Sequence, residues 1–332
     1  MPVSNPVVSA ATLAAGIRAN FIQTYDSTFT ASLDMLQLAM RLGVPAKART
    51  ETEAYFETAP YPEFWPYGSN IPHGNFLSVS YQVTSRRYAK RVSWNEDDRK
   101  DDQTRKLLDR ARVLGANFGT AHERAFFDLL LGTTNFIPSV PNAPDGAGFF
   151  ATTAAGVDRF GISNGNQLTG NEIDGVFDIH QDYYAAISQF LGFLDTEGEP
   201  MMNESLIDAG VLIIHAANEK ETFERAFSQN IVALALSTAT SNAGISNVVK
   251  DANRKVKTWA TSRITDNDWF IFLTGHPLKP TAQYELEGLQ TNDGNRSNSD
   301  FTRDSGEEYF QAYMRSGYSI NQPFAAMQIN NS

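Results

Sequence analysis

Five carboxylates, Glu96, Asp97, Asp98, Asp101 and Asp102, fall within seven positions of the stretch "VSWNEDDRKDDQTRKLL". On a helix, Asp97 and Asp101 lie four apart, as do Asp98 and Asp102. That spacing could offer paired carboxylates to a hard cation and so support a metal-dependent hydrolase. The same positions suit a helix start, where carboxylates face the positive end of the backbone dipole and cap its orphan amides. Asp101 with Arg105 and Asp102 with Lys106 are acid-before-base pairs four apart, which offset the like-charge repulsion. No ion is needed to explain the cluster.

Other chemistry is thinner. "GISNG", Gly161 to Gly165, places Ser163 where a nucleophile elbow would, but its flanks "VDRF" and "NQLTGNE" are polar loop rather than strand and helix. A plain turn explains it. The histidines, His73, His122, His180, His215 and His276, show no metal-ligand spacing, and His180 and His215 sit in apolar-patterned segments. Neither a P-loop nor a dinucleotide fingerprint occurs. With no cysteine, thiolate metal sites, disulfides and cysteine nucleophiles are excluded, in keeping with a reducing cytoplasm. A net charge of −11 repels nucleic-acid phosphates. It excludes a sequence-specific nucleic-acid binder but not a protein that merely encloses nucleic acid. No apolar run is long enough to span a membrane, and the N-terminus lacks the basic segment of a signal peptide.

The elements that would position these residues read as α+β. Residues 1–50 carry one or two helical segments, with Leu13, Ile17 and Phe21 four apart and Gly43 as a stop. Prolines and aromatics between 55 and 75 make an extended, irregular segment. Leu77, Val79, Tyr81 and Val83 alternate with polar residues, and a turn at Ser85-Arg86-Arg87 would return the chain through Tyr88 to Trp94 as a basic-tipped hairpin. Residues 99–132 predict one long helix, striped by Leu107, Ala111, Leu114, Phe118, Ala121, Ala125 and Leu129, with Gly115 and Gly119 weakening it locally. Residues 133–172 are loop-rich.

A helix over 173–194 is predicted with Ile173, Phe177, Tyr184, Ile187, Leu191 and Leu194 on its apolar face. A buried strand at 210–216, a helix from Asn218, and strands at 255–264 and 268–275 follow. Residues 290–306 read as an exposed mobile loop, and two more strands close the chain. There is no internal repeat and no long linker.

The order of these pieces resembles the Mu-like major head subunits, tailed-phage capsid proteins of the Hong Kong 97-type fold. The resemblance runs through "LAAGIRANFIQTY", through "TETEAYFETAPYPEFWPYG" with Tyr55, Pro60 and Trp65, through "RRYAKRVSWNEDDRKDD", and through "DGAGFFAT" at 145–152. It implies an N-terminal arm at 1–50 and an extended loop at 51–95. The peripheral domain would comprise 96–145 and 281–332, with its spine helix at 99–132, and the axial domain 146–280. Hexamers and pentamers would close an icosahedral shell around double-stranded phage DNA. The chain would be a structural protein of the virion, not an enzyme, assembled in the host bacterial cytoplasm without a cofactor or membrane.

Its partners would be itself, a separate scaffolding protein, a portal and a decoration protein. Trp65, Tyr81, Arg86, Arg87, Tyr88 and Lys90 are the expected contacts between subunits. The hairpin's basic face would meet an acidic neighbour, and Asp97, Asp98, Asp101 and Asp102 would start the spine helix and act as a hinge there. A cellular nanocompartment shell of the same fold is the alternative, and the metal-dependent hydrolase stands behind it.

Overall fold

The structure, a computed structural model, describes residues 10–58, 64–67, 70, 77–95, 106–171, 173, 175–228, 231–234, 243–246, 255–294 and 299–331. The elements that matter for function are two sheets and the helices laid against them.

The five-stranded sheet takes β8 (Val211–Ala216) and β12 (Trp269–Leu273) as its centre. Its order is β11 (Val256–Thr261), β8, β12, β15 (Ala326–Asn330) and β7 (Gln167–Thr169). β11 runs parallel to β8, and β15 runs parallel to β7. Every residue of β8 and β12 is buried. Such continuous aliphatic and aromatic runs belong to strands covered on both faces.

One face, through Val211, Ile213, Trp269, Ile271 and Leu273, meets helix α4 (Val176–Leu191) and helix α6 (Lys220–Ser228). The other, through Leu212, Ile214, Phe270 and Phe272, meets Phe126, Phe127 and Leu130 of helix α3 (Ala121–Leu131). Short β5 (Thr153–Ala154), β6 (Val157–Asp158) and α5 (Glu204–Ala209) fill the connections, and β9 (Ile231–Leu234) pairs with β10 (Ala243–Ser246) in a separate ribbon.

Helix α4 turns a different face inward from the one its pattern suggests. Ile179, Tyr183, Ala186, Ile187 and Phe190 are buried, whereas Phe177 and Leu191 are exposed. The helix carries apolar residues on two sides. The close packing of Phe190 and Phe193 under the sheet selects one of them.

The four-stranded sheet has the order β1 (Met40–Pro45), β13 (Thr281–Gly294), β14 (Glu307–Ile320), β4 (Arg86–Asn95). β13 and β14 form a long hairpin. The polar stretch 290–306, read as a loop, therefore begins as strand, to Gly294, and at Asp300–Ser305 forms a short helix α7 capped by Ser299. β14 alternates buried and half-buried residues along its first half, so the polar positions simply face outward.

The region from 77 to 95 also departs from expectation. β3 (Leu77–Thr84) pairs not with β4 but with β2 (Thr50–Thr58), and β4 pairs with β14. The chain steps from one sheet to the other at buried Ser85, whose amide donates to the Arg49 carbonyl at 2.7 Å. Ser-Arg-Arg supplies none of the left-handed residues that a tight hairpin reversal requires. The hairpin is thus β2–β3, and the basic residues lie at its base rather than its tip.

The expected spine helix is present as two segments within the described part, α2 (Lys106–Gly119) and α3, with Thr120 between them at φ −87° and ψ 1°. Helical bonding bridges the break, from the Thr120 amide to Ala116 and from the Arg124 amide to Thr120. The whole predicted stripe from Leu107 to Leu129 is buried. A single 30-residue helix, α1 (Ala10–Ala39), runs along α2. It comes so close that a Cβ on Gly115 would stand 2.4 Å from the Phe21 carbonyl oxygen, and one on Gly119 2.7 Å from Thr28 Cβ. The two glycines cost helix propensity, yet they let the α1 backbone approach. Ile17, Phe21, Leu107, Leu114 and Phe118 then cover Trp94, Phe310 and Met314 of the sheet.

Candidate functional site

Between α2 and β4 lies an open groove of about 960 Å³. Its walls are Val92, Val113, Leu114, Phe118, Phe136 and Met314. β4 is the outer strand of its sheet, hydrogen-bonded to β14 on one side. Among the described residues its rim holds Arg87, Lys90, Lys106, Arg110 and Arg124, all exposed, against one carboxylate, Asp109. Asp109 is itself engaged by Arg112 at 3.1 Å. Among the described residues, in a chain of net charge −11, this is a concentration of positive charge on an apolar floor.

The residues expected at subunit contacts divide between this groove and the hairpin. Arg87, Tyr88 and Lys90 line the groove. The Arg87 guanidinium lies 5.0 Å from the Tyr313 ring centre and 3.8 Å from Glu287. Tyr88 stacks on Phe136 at 4.7 Å, and burial pushes its hydroxyl pKa up to about 12. Arg86 is exposed at the start of β4, in register with Ser316. Tyr81 is half-buried beside Tyr284, and burial raises its pKa. Trp65 is half exposed, and its neighbours Phe64 and Tyr67 stand almost entirely in solvent at 88% and 108% of full exposure. Asp97, Asp98, Asp101 and Asp102 lie outside the described residues, as do Glu96, Arg105, Pro60 and His73.

The other chemical candidates sit in unremarkable surroundings. Ser163 is exposed in a turn that follows a single 3-10 turn, with neither strand nor helix adjoining it. Among the described residues no group of three histidines, aspartates or glutamates could hold a metal. His122 is buried, its Nδ1 2.9 Å from the Tyr318 hydroxyl, and burial lowers its pKa to about 4. His215 lies flat on Phe223 at 4.2 Å and donates from Nδ1 to the Ala216 carbonyl, and burial lowers its pKa too. His180 donates to the Ala226 carbonyl.

One cluster escaped the sequence reading. Arg159, with its side chain 1% exposed, grips Asp145 through Nε at 2.7 Å and Nη2 at 3.1 Å. Its Nη1 donates to the carbonyls of Gly148 and Phe149 and to Asn166 Oδ1. Asn166 in turn donates to the carbonyls of Phe149, Pro323 and Ala326. This clasp shapes "DGAGFF" and ties it to the segment leading into β15. Nothing in the local pattern marks Arg159, because its partners are brought in by the fold. The polar loop composition around it was the available signal.

No family model matches the chain, and no curated protein matches its sequence. Solved structures do. The capsid of the empty GTA particle is 12% identical, with 90% of this chain and 89% of that chain covered and a TM-score of 0.55. Mycobacterium phage Patience is 13% identical over 100% and 94%, with a TM-score of 0.53. The virus-like particle from Pyrococcus furiosus is 9% identical over 93% and 97%, with a TM-score of 0.51. These likenesses define the architecture. The α+β chain has the Hong Kong 97-type capsid fold.

Proposed function

We propose that the chain is a major capsid protein whose hexamers and pentamers close an icosahedral shell around double-stranded phage DNA. The observation that carries this reading is a capsid-type fold shared over nearly the whole length of both chains. Residues 1–50 would be the arm, 51–95 the extended loop reaching over a neighbour, 96–145 with 281–332 the peripheral domain, and 146–280 the axial domain. The peripheral helix would be the pair α2 and α3. A separate scaffolding protein, a portal and a decoration protein would complete the head, which would assemble in the host bacterial cytoplasm. The shell role needs no catalytic group and no cofactor.

Physics supports a partner-dependent role for the hairpin. A two-stranded ribbon such as β2–β3 has little core and is marginal in water on its own. A cellular shell of the same fold is the second and less supported reading; the likeness to a virus-like particle from Pyrococcus furiosus keeps it in view. Electron microscopy of the expressed chain should show closed particles or ring-shaped capsomers. A monodisperse monomer would sink the shell reading, and particles carrying a cargo protein in place of DNA would favour the cellular one.

A further inference from the structure

Where β7 and β15 end against helix α4, a buried carboxylate faces a buried amide. Asp182, 3% exposed, lies within α4, and Asn331, 8% exposed, follows directly on β15. A Cβ built on Gly170, just past β7, would stand 1.8 Å from Asn331 Oδ1 and 2.7 Å from Asp182 Oδ2. The two oxygens therefore converge on the space that this glycine leaves beside its backbone. Among the described residues neither Oδ1 nor Nδ2 of Asn331 has a hydrogen-bond partner. The backbone around them is nonetheless fixed. The Asn331 amide donates to Asp268 Oδ1 at 3.0 Å, and the Gly170 amide donates to the Asn330 carbonyl at 2.9 Å.

Asp182 accepts from the Asn171 backbone amide at 3.0 Å and from the Asn171 side-chain amide. Both donors are neutral, so the carboxylate charge is not compensated. Among the described residues no lysine, arginine or histidine pairs with it. The surrounding sequence offers little help, since Phe160 to Glu219 holds ten carboxylates and no lysine or arginine. Burial, above all, raises the Asp182 pKa; the Asn171 bonds pull it back, and the charge of Asp178 adds to the rise. A buried charge is costly unless it is paired or coordinates a metal. A water donating to both oxygens would fill their lone pairs and leave the charge standing.

We propose that Asp182 Oδ2 and Asn331 Oδ1 bind a calcium ion between α4 and the end of β15. Calcium takes carboxylate, amide and water oxygens alike at about 2.3–2.6 Å, so two ligands can stand up to about 5 Å apart across it. The spacing beside Gly170 lies within that reach. Magnesium demands a near-ideal octahedron at about 2.0–2.1 Å, which two fixed oxygens on separate elements serve less well. With a single buried carboxylate and an amide oxygen, most of the shell is water and the affinity is low, with half-saturation at about 0.1–1 mM. The ion ties α4 to the strand that completes the enclosed sheet. This is a property of the single subunit and does not depend on the shell reading.

The test uses the full chain, stripped with chelator and melted at pH 7 with calcium added in steps. At 10 mM calcium the Tm should rise by about 2–4 °C, the shift such an affinity gives a chain of this size. Asp182→Asn keeps the shape and removes the charge, and Asn331→Ala removes the amide oxygen. Each should abolish most of the rise. If Asp182→Asn fails to fold, Asn331→Ala carries the comparison. No rise in the parent, or an equal rise in parent and variants from calcium on surface carboxylates, overturns the proposal.

A crystal structure of the parent grown in 10 mM calcium decides without any variant. A peak at about 2.3–2.6 Å from both oxygens, with further oxygens around it, is expected. A peak at ordinary hydrogen-bond distance, which is water, or an Asn331 amide nitrogen donating directly to Asp182, overturns it.

Discussion

The two sheets are built from the same chain to opposite specifications. The five-stranded sheet is enclosed, with α4 and α6 on one face and α3 on the other, and its central strands have no exposed residue. The four-stranded sheet is covered by α1 and α2, yet its outer strand β4 is mostly exposed and borders an open groove. Polar groups follow the same division. Near the enclosed sheet one group of them is bound up in the buried Arg159 clasp. Around the open one charges of both signs lie largely at the surface, as where Glu287 faces Arg87 and Arg315. The first arrangement completes itself within one subunit. The second leaves surface to be completed by something else.

The largest expected effect sits in the enclosed half. Arg159→Met removes one partner of a buried, fully satisfied ion pair and should cost about 3–5 kcal/mol in urea unfolding. Arg159→Lys should recover little, because an ammonium cannot reproduce the two-pronged grip on Asp145 while bonding two carbonyls. A loss below about 1 kcal/mol, the range of exposed pairs, would dissolve the contrast between the halves.

An intermediate effect sits at the seam, where His122 of α3 meets Tyr318 of β14. Burial lowers its pKa to about 4, so the folded chain holds it neutral while the unfolded chain protonates it near 6.5. Stability from this group is full above about pH 6.5 and falls as pH drops toward about 4, by on the order of 3 kcal/mol in all. Denaturant titrations from pH 7 to 4 should show this loss in the parent and a shallower one in His122→Gln. Parallel acid limbs in the two proteins would mean that His122 is not the sensor.

The smallest effect is expected on the open sheet. The exposed Arg91 guanidinium lies 4.1 Å from the ring centre of half-buried Tyr309 and bonds Gln311 at 3.0 Å. Arg91→Ala should cost at most about 1 kcal/mol in the isolated subunit. A cost comparable with that of Arg159→Met would show the open sheet to be as self-contained as the enclosed one.

Much of the fold was legible because burial leaves a periodic trace. "GVLIIHA" read as a buried strand, "DWFIFLTG" as a strand, and the stripe from Leu107 to Leu129 as one helical face. What failed was pairing. β3 and β4 were both seen as strands, but their partners lie 27 residues upstream and more than 200 downstream, separations at which local pattern carries no information. The long β13–β14 hairpin was missed at its far end because outward polar residues look like loop when the inward ones are few. Gly115 and Gly119 read as weaknesses of a helix, since α1 was not known to lie against them. The groove was invisible for the same reason, although every one of its cations stood in the sequence.

The position of β15 sets the order in which the molecule can be completed. Residues 326–330 lie between β12 and β7, so β7, made some 160 residues earlier, has no seat in the sheet until they arrive. During synthesis the edge of β12 therefore stays open until residues 326–330 have left the ribosome. Contacts spanning such separations are slow to form. A nascent chain halted before residue 326 would lack an inner strand of its central sheet, and Asn166 would lack the carbonyl of Ala326. Completion of the central sheet is thus gated by time: the body of the fold closes only after translation has passed β15.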